Sequence, residues 1–157
     1  DVFRKNIKNQ TPLGILAQSY IDRGALVPDQ VTIDMLSDEV SKNTTGKGFI
    51  FDGFPRNIVQ ADALDSVLSK HSAQVDAMIA LEVEDEILVK RLLKRGETSG
   101  RSDDSSEEIV RDRIKIYYSE TAVLKSYYEA KARYHGVDGV GEIEAITERL
   151  NAVVNTL

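Results

Sequence analysis

Apolar residues recur along the chain in two alternating rhythms, one spaced three and four residues apart and one in short unbroken runs. Thr11-Pro12 reads as an N-cap with Pro at the first helical position. Leu13, Leu16, Tyr20 and Ile21 follow it before Gly24 supplies a stop. A second helix opens at Pro28-Asp29, places Ile33, Leu36 and Val40 on one face, and ends before Asn43-Thr44-Thr45-Gly46. The run from Gly48 to Phe54 is apolar, aromatic and bounded by glycines, which predicts a buried strand ending in a loop with Pro55. Ala61, Leu64 and Leu68 suit a helix, and 77–83 predicts a second buried strand. From Asp85 to Arg95 a helix carries Leu88 and Leu92 on one face and Arg91 and Arg95 on another. Gly96 and Gly100 bracket a polar loop. Ser105 with Glu108 forms a capping box for a long helix through Ile109, Ile116, Tyr117 and Leu124. Arg133 to Asp138 predicts a short edge strand, and Gly139 and Gly141 break the chain before a last helix. Strands alternating with helices predict an α/β fold with a parallel sheet, whose sites lie at the carboxyl ends of strands.

Composition narrows the picture. A chain of 157 residues, 41% hydrophobic, holds one sizeable core and predicts a single domain. The net charge of -6 argues against a nucleic-acid surface, so any phosphate must be met by local arginines. Cysteine is absent, which excludes disulfides and thiolate metal sites. No apolar run is long enough to span a bilayer, and the N-terminus lacks signal-peptide character, so the expected location is cytoplasmic and no membrane partner is expected.

Two segments concentrate the chemistry. The first is Gly46-Lys47-Gly48-Phe49-Ile50-Phe51-Asp52-Gly53-Phe54-Pro55-Arg56-Asn57-Ile58-Val59-Gln60. The second is Arg91-Leu92-Leu93-Lys94-Arg95-Gly96-Glu97-Thr98-Ser99-Gly100-Arg101-Ser102-Asp103-Asp104, followed by Arg113 with Ile114, Tyr117 and Tyr118 beside it. Singly, Asp52 and Arg56 are an ordinary surface ion pair, and arginines on a helix are an ordinary solvated face. Their joint spacing reverses that choice, because the two segments together resemble the adenylate kinases, in the short-lid form of that nucleoside monophosphate kinase family. The resemblance covers essentially the whole chain. It implies the three-layer fold of P-loop monophosphate kinases, with an AMP-binding helical region over about 1–45, a short lid over about 96–104 and the core in the remainder.

The activity so implied is reversible phosphoryl transfer from ATP to AMP, giving two ADP, with Mg²⁺ accompanying ATP. Phosphoryl transfer spreads negative charge over equatorial oxygens, and planar, permanently charged guanidinium groups suit its stabilisation. By resemblance, Arg4 and Arg56 hold the AMP phosphate, and Arg101 and Arg113 reach the transferring group. Arg95 and Arg91 serve the ATP phosphates. Asp52 orients Mg²⁺ through a bound water and need not be a direct ligand. Gln60 reads adenine, backbone at Ala25, Val27 and Gly53 lines the AMP pocket, and backbone near Gly141 packs on the ATP adenine. No structural zinc is expected, since neither a long lid nor Cys is present. His71 and His135 read as ordinary surface or loop residues.

One departure is plain: no Gly-x-x-x-x-Gly-Lys occurs in the chain, and Gly46-Lys47-Gly48 precedes a strand where a P-loop would follow one. The chain therefore reads as the C-terminal part of such a kinase, without the N-terminal strands and P-loop. That loss leaves the predicted strands 48–54 and 77–83 beside an empty slot. A dimeric or swapped form with little kinase activity is the expectation for these residues, and a monomer for the parent. Two other readings stay open: a UMP or CMP kinase, which differs at Gln60, and a non-catalytic nucleotide-binding module.

Overall fold

The computed structural model describes residues 2–21, 27–43, 46–99 and 104–157. They form two compact units, Asp1–Gln74 and Val75–Leu157.

The first unit is helical: α1 (Val2–Lys8), α2 (Pro12–Ile21), α3 (Asp29–Lys42) and α4 (Ile58–Ser69). The start of α2 is as the sequence predicts. Thr11 Oγ1 accepts from the Gly14 amide at 3.0 Å, satisfying one of the first-turn donors that a helix leaves without an internal partner. Ala17, Val31 and Met35 form the core between α2 and α3, with Val2, Leu13 and Val27 packed against it. Ala61, Leu64, Val67 and Leu68 bury the apolar face of α4.

No strand forms over 48–54, which corrects the sequence reading. Ile50 is 99% exposed, and Phe49 stacks on Phe51 with ring centroids 5.7 Å apart. A strand persists only when a neighbour exchanges hydrogen bonds with it. Among the described residues the one such ladder lies in the second unit. An apolar run bounded by glycines signals burial but carries no information about its partner.

The second unit contains β1 (Met78–Glu82), α5 (Asp85–Ser99), α6 (Glu107–Ile116), a π-helical turn (Tyr117–Thr121), α7 (Val123–Glu129), β2 (Tyr134–Asp138) and α8 (Ile143–Val154). β1 and β2 pair in parallel, from Met78 opposite Tyr134 to Glu82 opposite Asp138. The α/β class and the parallel pairing are as predicted. β1 is less buried than expected, because a two-stranded ladder covers one edge only and leaves Leu81 half exposed. Glu82, at its end, accepts from Lys125 Nζ at 3.0 Å and Tyr134 Oη at 2.9 Å, and these bonds, the lysine's first, hold its carboxyl below the usual range.

Three local expectations also change. The cap of α6 is Ser106, extended at φ -147° and ψ 155°, whose hydroxyl accepts from the Ile109 amide; Ser105 is not the cap. The long helix is broken by the π turn, where the Ala122 amide donates to Tyr117 O at 2.8 Å. Gly96 does not open a loop but lies inside α5, where a Cβ would collide with the carbonyl oxygen of Asp104. Its lack of a side chain lets the Asp104 backbone approach the helix.

Candidate functional site

In the first unit the candidate residues gather where the loop Asp52–Asn57 enters α4. Gly53 adopts φ +71°, a conformation that glycine takes at no steric cost, and this turns its carbonyl toward Arg56. Arg56 Nε donates to Gly53 O at 2.8 Å, so the loop aims its own arginine. Asn57 caps α4, its Oδ1 accepting from the Gln60 amide at 2.9 Å. Gln60 answers as the second half of a capping box displaced by one residue: its Oε1 accepts from the Arg56 amide at 2.8 Å. The Gln60 Nε2 donates to Asp29 Oδ1 at 2.7 Å, and Asn57 Nδ2 donates to Asp29 Oδ2 at 3.0 Å. One carboxylate at the start of α3 thus ties together the first turn of α4. Gln60 is buried, whereas Asp52 and Arg56 are exposed.

Gly53, Arg56 and Gln60 are therefore brought together. Arg4 is exposed on α1, and Val27 is half-buried against the Ala17, Val31 and Met35 core just ahead of α3. Ala25 and Arg101 lie outside the described residues.

In the second unit two predicted arginines converge on one anion. Arg95 Nε donates to Asp104 Oδ2, and Arg113 Nη1 to Asp104 Oδ1, both at 2.6 Å. The Asp104 side chain is 0% exposed, while those of Arg95 and Arg113 are 43% and 39% exposed. A buried carboxylate requires such partners, since desolvation without them costs several kcal/mol. The result is a pair of guanidinium groups fixed from within and open to solvent without. Arg111 makes the contrast: its carboxylate partners Glu86 and Glu107 are themselves 67% and 57% exposed. That contact lowers the Glu86 carboxyl but is a surface ion pair of small energetic weight. Tyr118 on the π turn donates to Asp85 Oδ1 at 2.8 Å, which raises its phenol.

Arg91 points elsewhere, to the segment after β2. Its Nη1 donates to Gly139 O at 2.5 Å and its Nη2 to Gly141 O at 3.3 Å. Arg149 of α8 donates to the carbonyls of Asp138 and Val140, each at 2.7 Å. Arg91 and Arg149 thus take alternate carbonyls of a four-residue loop, a firm frame for the backbone that the sequence marked at Gly141. Asp29, Asn57, Asp104 and Arg149 were missed as supports of the site. Asn57 had a readable signal, an N-cap type three residues before Gln60. Asp29 had none, because its partners lie about thirty residues onward.

Comparison with known proteins shows which family the chain is similar to. A family model described as adenylate kinase matches residues 1–133. A protein of Flavobacterium psychrophilum named adenylate kinase is 55% identical over 157 residues, spanning 100% of this chain and 83% of the relative. Its counterpart in Flavobacterium johnsoniae is 52% identical with the same coverage. An adenylate kinase of Micrococcus luteus is 43% identical over 150 residues, 96% of this chain and 73% of the relative.

Proposed function

The chain belongs to the adenylate kinase family, and from that premise we propose that its residues serve Mg²⁺-dependent transfer of the terminal phosphoryl group of ATP to AMP, giving two ADP. The observation that carries this reading is the entry to α4, where an exposed Arg56 stands beside a buried Gln60 whose amide is held in one orientation. An anionic phosphate suits the arginine, and a base edge with one donor and one acceptor suits the amide. Arg4 and the backbone at Ala25, Val27 and Gly53 would complete the AMP contacts.

In the transfer itself an AMP phosphate oxygen bonds to the γ-phosphorus as the bond to the β–γ bridging oxygen breaks, and ADP leaves. The protein's task is to neutralise and align. Arg113, fixed through Asp104, offers charge to the transferring group, joined by Arg101, and Arg95, held by the same carboxylate, offers charge to the ATP phosphates. Arg91 and the loop at Gly141 serve ATP.

The donors present fit a Mg²⁺ that arrives with the nucleotide. Asp52 is an exposed carboxylate, and among the described residues no three His, Asp or Glu side chains converge. Such a group accepts a hydrogen bond from a metal-bound water, and the ion's contribution is to neutralise phosphate charge. The chain holds no P-loop sequence, so these 157 residues alone are expected to form little or no ADP. Among the described residues no helix is long and apolar enough to cross a membrane.

A panel of monophosphates tests the substrate. With MgATP and the protein made from its complete coding sequence, kcat/KM for AMP should exceed that for CMP and UMP by about 10²-fold or more, the scale set by buried polar groups left unpaired. Equal or better turnover of CMP or UMP overturns the adenine assignment, and failure to use any monophosphate favours a non-catalytic binding module.

A further inference from the structure

The orientation of the Gln60 amide is chemically forced, and the group that forces it most strongly is Asp29. A carboxylate only accepts and a backbone N–H only donates, so with Asp29 at 2.7 Å and the Arg56 amide at 2.8 Å, the side-chain NH₂ must face Asp29 and the oxygen must face Arg56. An amide flipped end for end would set oxygen against carboxylate and NH₂ against N–H. The bond to Asp29 is charge-assisted and the one to the Arg56 backbone is neutral, which makes the carboxylate the stronger constraint. Asn57 in turn donates to the other oxygen of Asp29 and fixes its plane. Gln60 is 6% exposed, so no bulk water competes freely for these bonds.

The amide has two N–H donors and two acceptor sites, and these contacts take one of each. What remains is one donor and one acceptor, in an order fixed by Asp29. Adenine presents an acceptor at N1 and a donor at N6, whereas hypoxanthine, almost identical in shape, presents a donor at N1 and an acceptor at O6. An amide locked one way pairs with the first and opposes the second; a freed amide turns to suit either.

We propose that Asp29 is a positioning residue that sets which purine the site accepts, by holding Gln60 in the orientation that reads adenine and rejects a 6-oxopurine. The proposal rests on Gln60 as the base reader.

Calorimetric titration of the protein made from its complete coding sequence, with AMP and with IMP, tests it. Wild type should bind AMP at least about tenfold more tightly than IMP. Asp29→Asn keeps size but cannot accept from both neighbours, and should narrow that ratio about tenfold, the weight of one charge-assisted hydrogen bond. Asn57→Ser retains a helix cap while removing the donor to Asp29, and should narrow it about threefold. General loosening would weaken both ligands alike and leave the ratio unmoved. A folded Asp29→Asn protein with an unchanged ratio overturns the proposal; if that variant fails to fold, an unchanged ratio in Asn57→Ser does so. Wild type that binds AMP and IMP equally removes Gln60 as base reader, and the role of Asp29 falls with it.

Discussion

Replacing Arg56 by alanine should lower kcat/KM for AMP by about 10²- to 10³-fold, the cost of removing one preorganised donor aimed at developing charge. The loop is built around this side chain. Gly53 takes its left-handed conformation, its carbonyl accepts from Arg56 Nε, and the backbone amide of Arg56 is held by Gln60. The guanidinium is therefore aimed before any nucleotide arrives, and little ordering remains to be done on binding. Because Arg56 is exposed, its loss should leave the folded state nearly unperturbed, with a change in thermal midpoint of no more than about 2 °C. Arg56→Lys should recover little of the activity, since an ammonium group offers no planar fork to a phosphate. Steady-state kinetics with varied AMP, alongside thermal denaturation, checks both statements. Unchanged kinetics in a stable Arg56→Ala protein would remove this loop from the site.

Asp104→Ala should be the most damaging single change in the second unit, and it should act on stability and activity together. The wild-type carboxylate is wholly buried and accepts from Arg95 and Arg113. Without it, two guanidinium groups lose the contact that aligns them. Both are about 40% exposed and turn to water, so the destabilisation should be about 2 kcal/mol, short of the value for a fully buried pair. The kinetic effect should be larger, about 10²-fold in kcat, because the transition state meets two charges that are no longer fixed. Asp104→Asn keeps the volume but can accept at one oxygen only, and should fall between. Urea denaturation and kcat measured on the same preparations separate the two effects. A loss of stability with normal kcat would show that Asp104 serves the fold alone.

What the sequence displayed of this protein follows the range of the interactions involved. The start of α2 was legible because Thr11 and Pro12 act within one turn, and α5 was legible from Asp85 because Leu88 and Leu92 fall one turn apart. The strand expected over 48–54 was misread, since the same apolar run serves as strand or loop according to whether a neighbour stands beside it. Gly96 looked like a helix breaker, yet its reason is the close passage of Asp104, a packing fact invisible in a linear pattern. The arginines were singled out because the two segments that carry them resemble the adenylate kinases, a likeness carried by local sequence. Their supports were missed because Asp29 meets Gln60, and Arg149 meets Asp138 and Val140, only after the chain has folded back.

Phosphorus NMR of the protein made from its complete coding sequence, mixed with equimolar ATP, AMP and Mg²⁺, tests the central claim most directly. The account predicts that the ATP and AMP signals decline together while ADP grows at twice the rate of either loss, with no inorganic phosphate released. Consumption of ATP to ADP and inorganic phosphate with AMP unchanged, or no change in any signal, would contradict it.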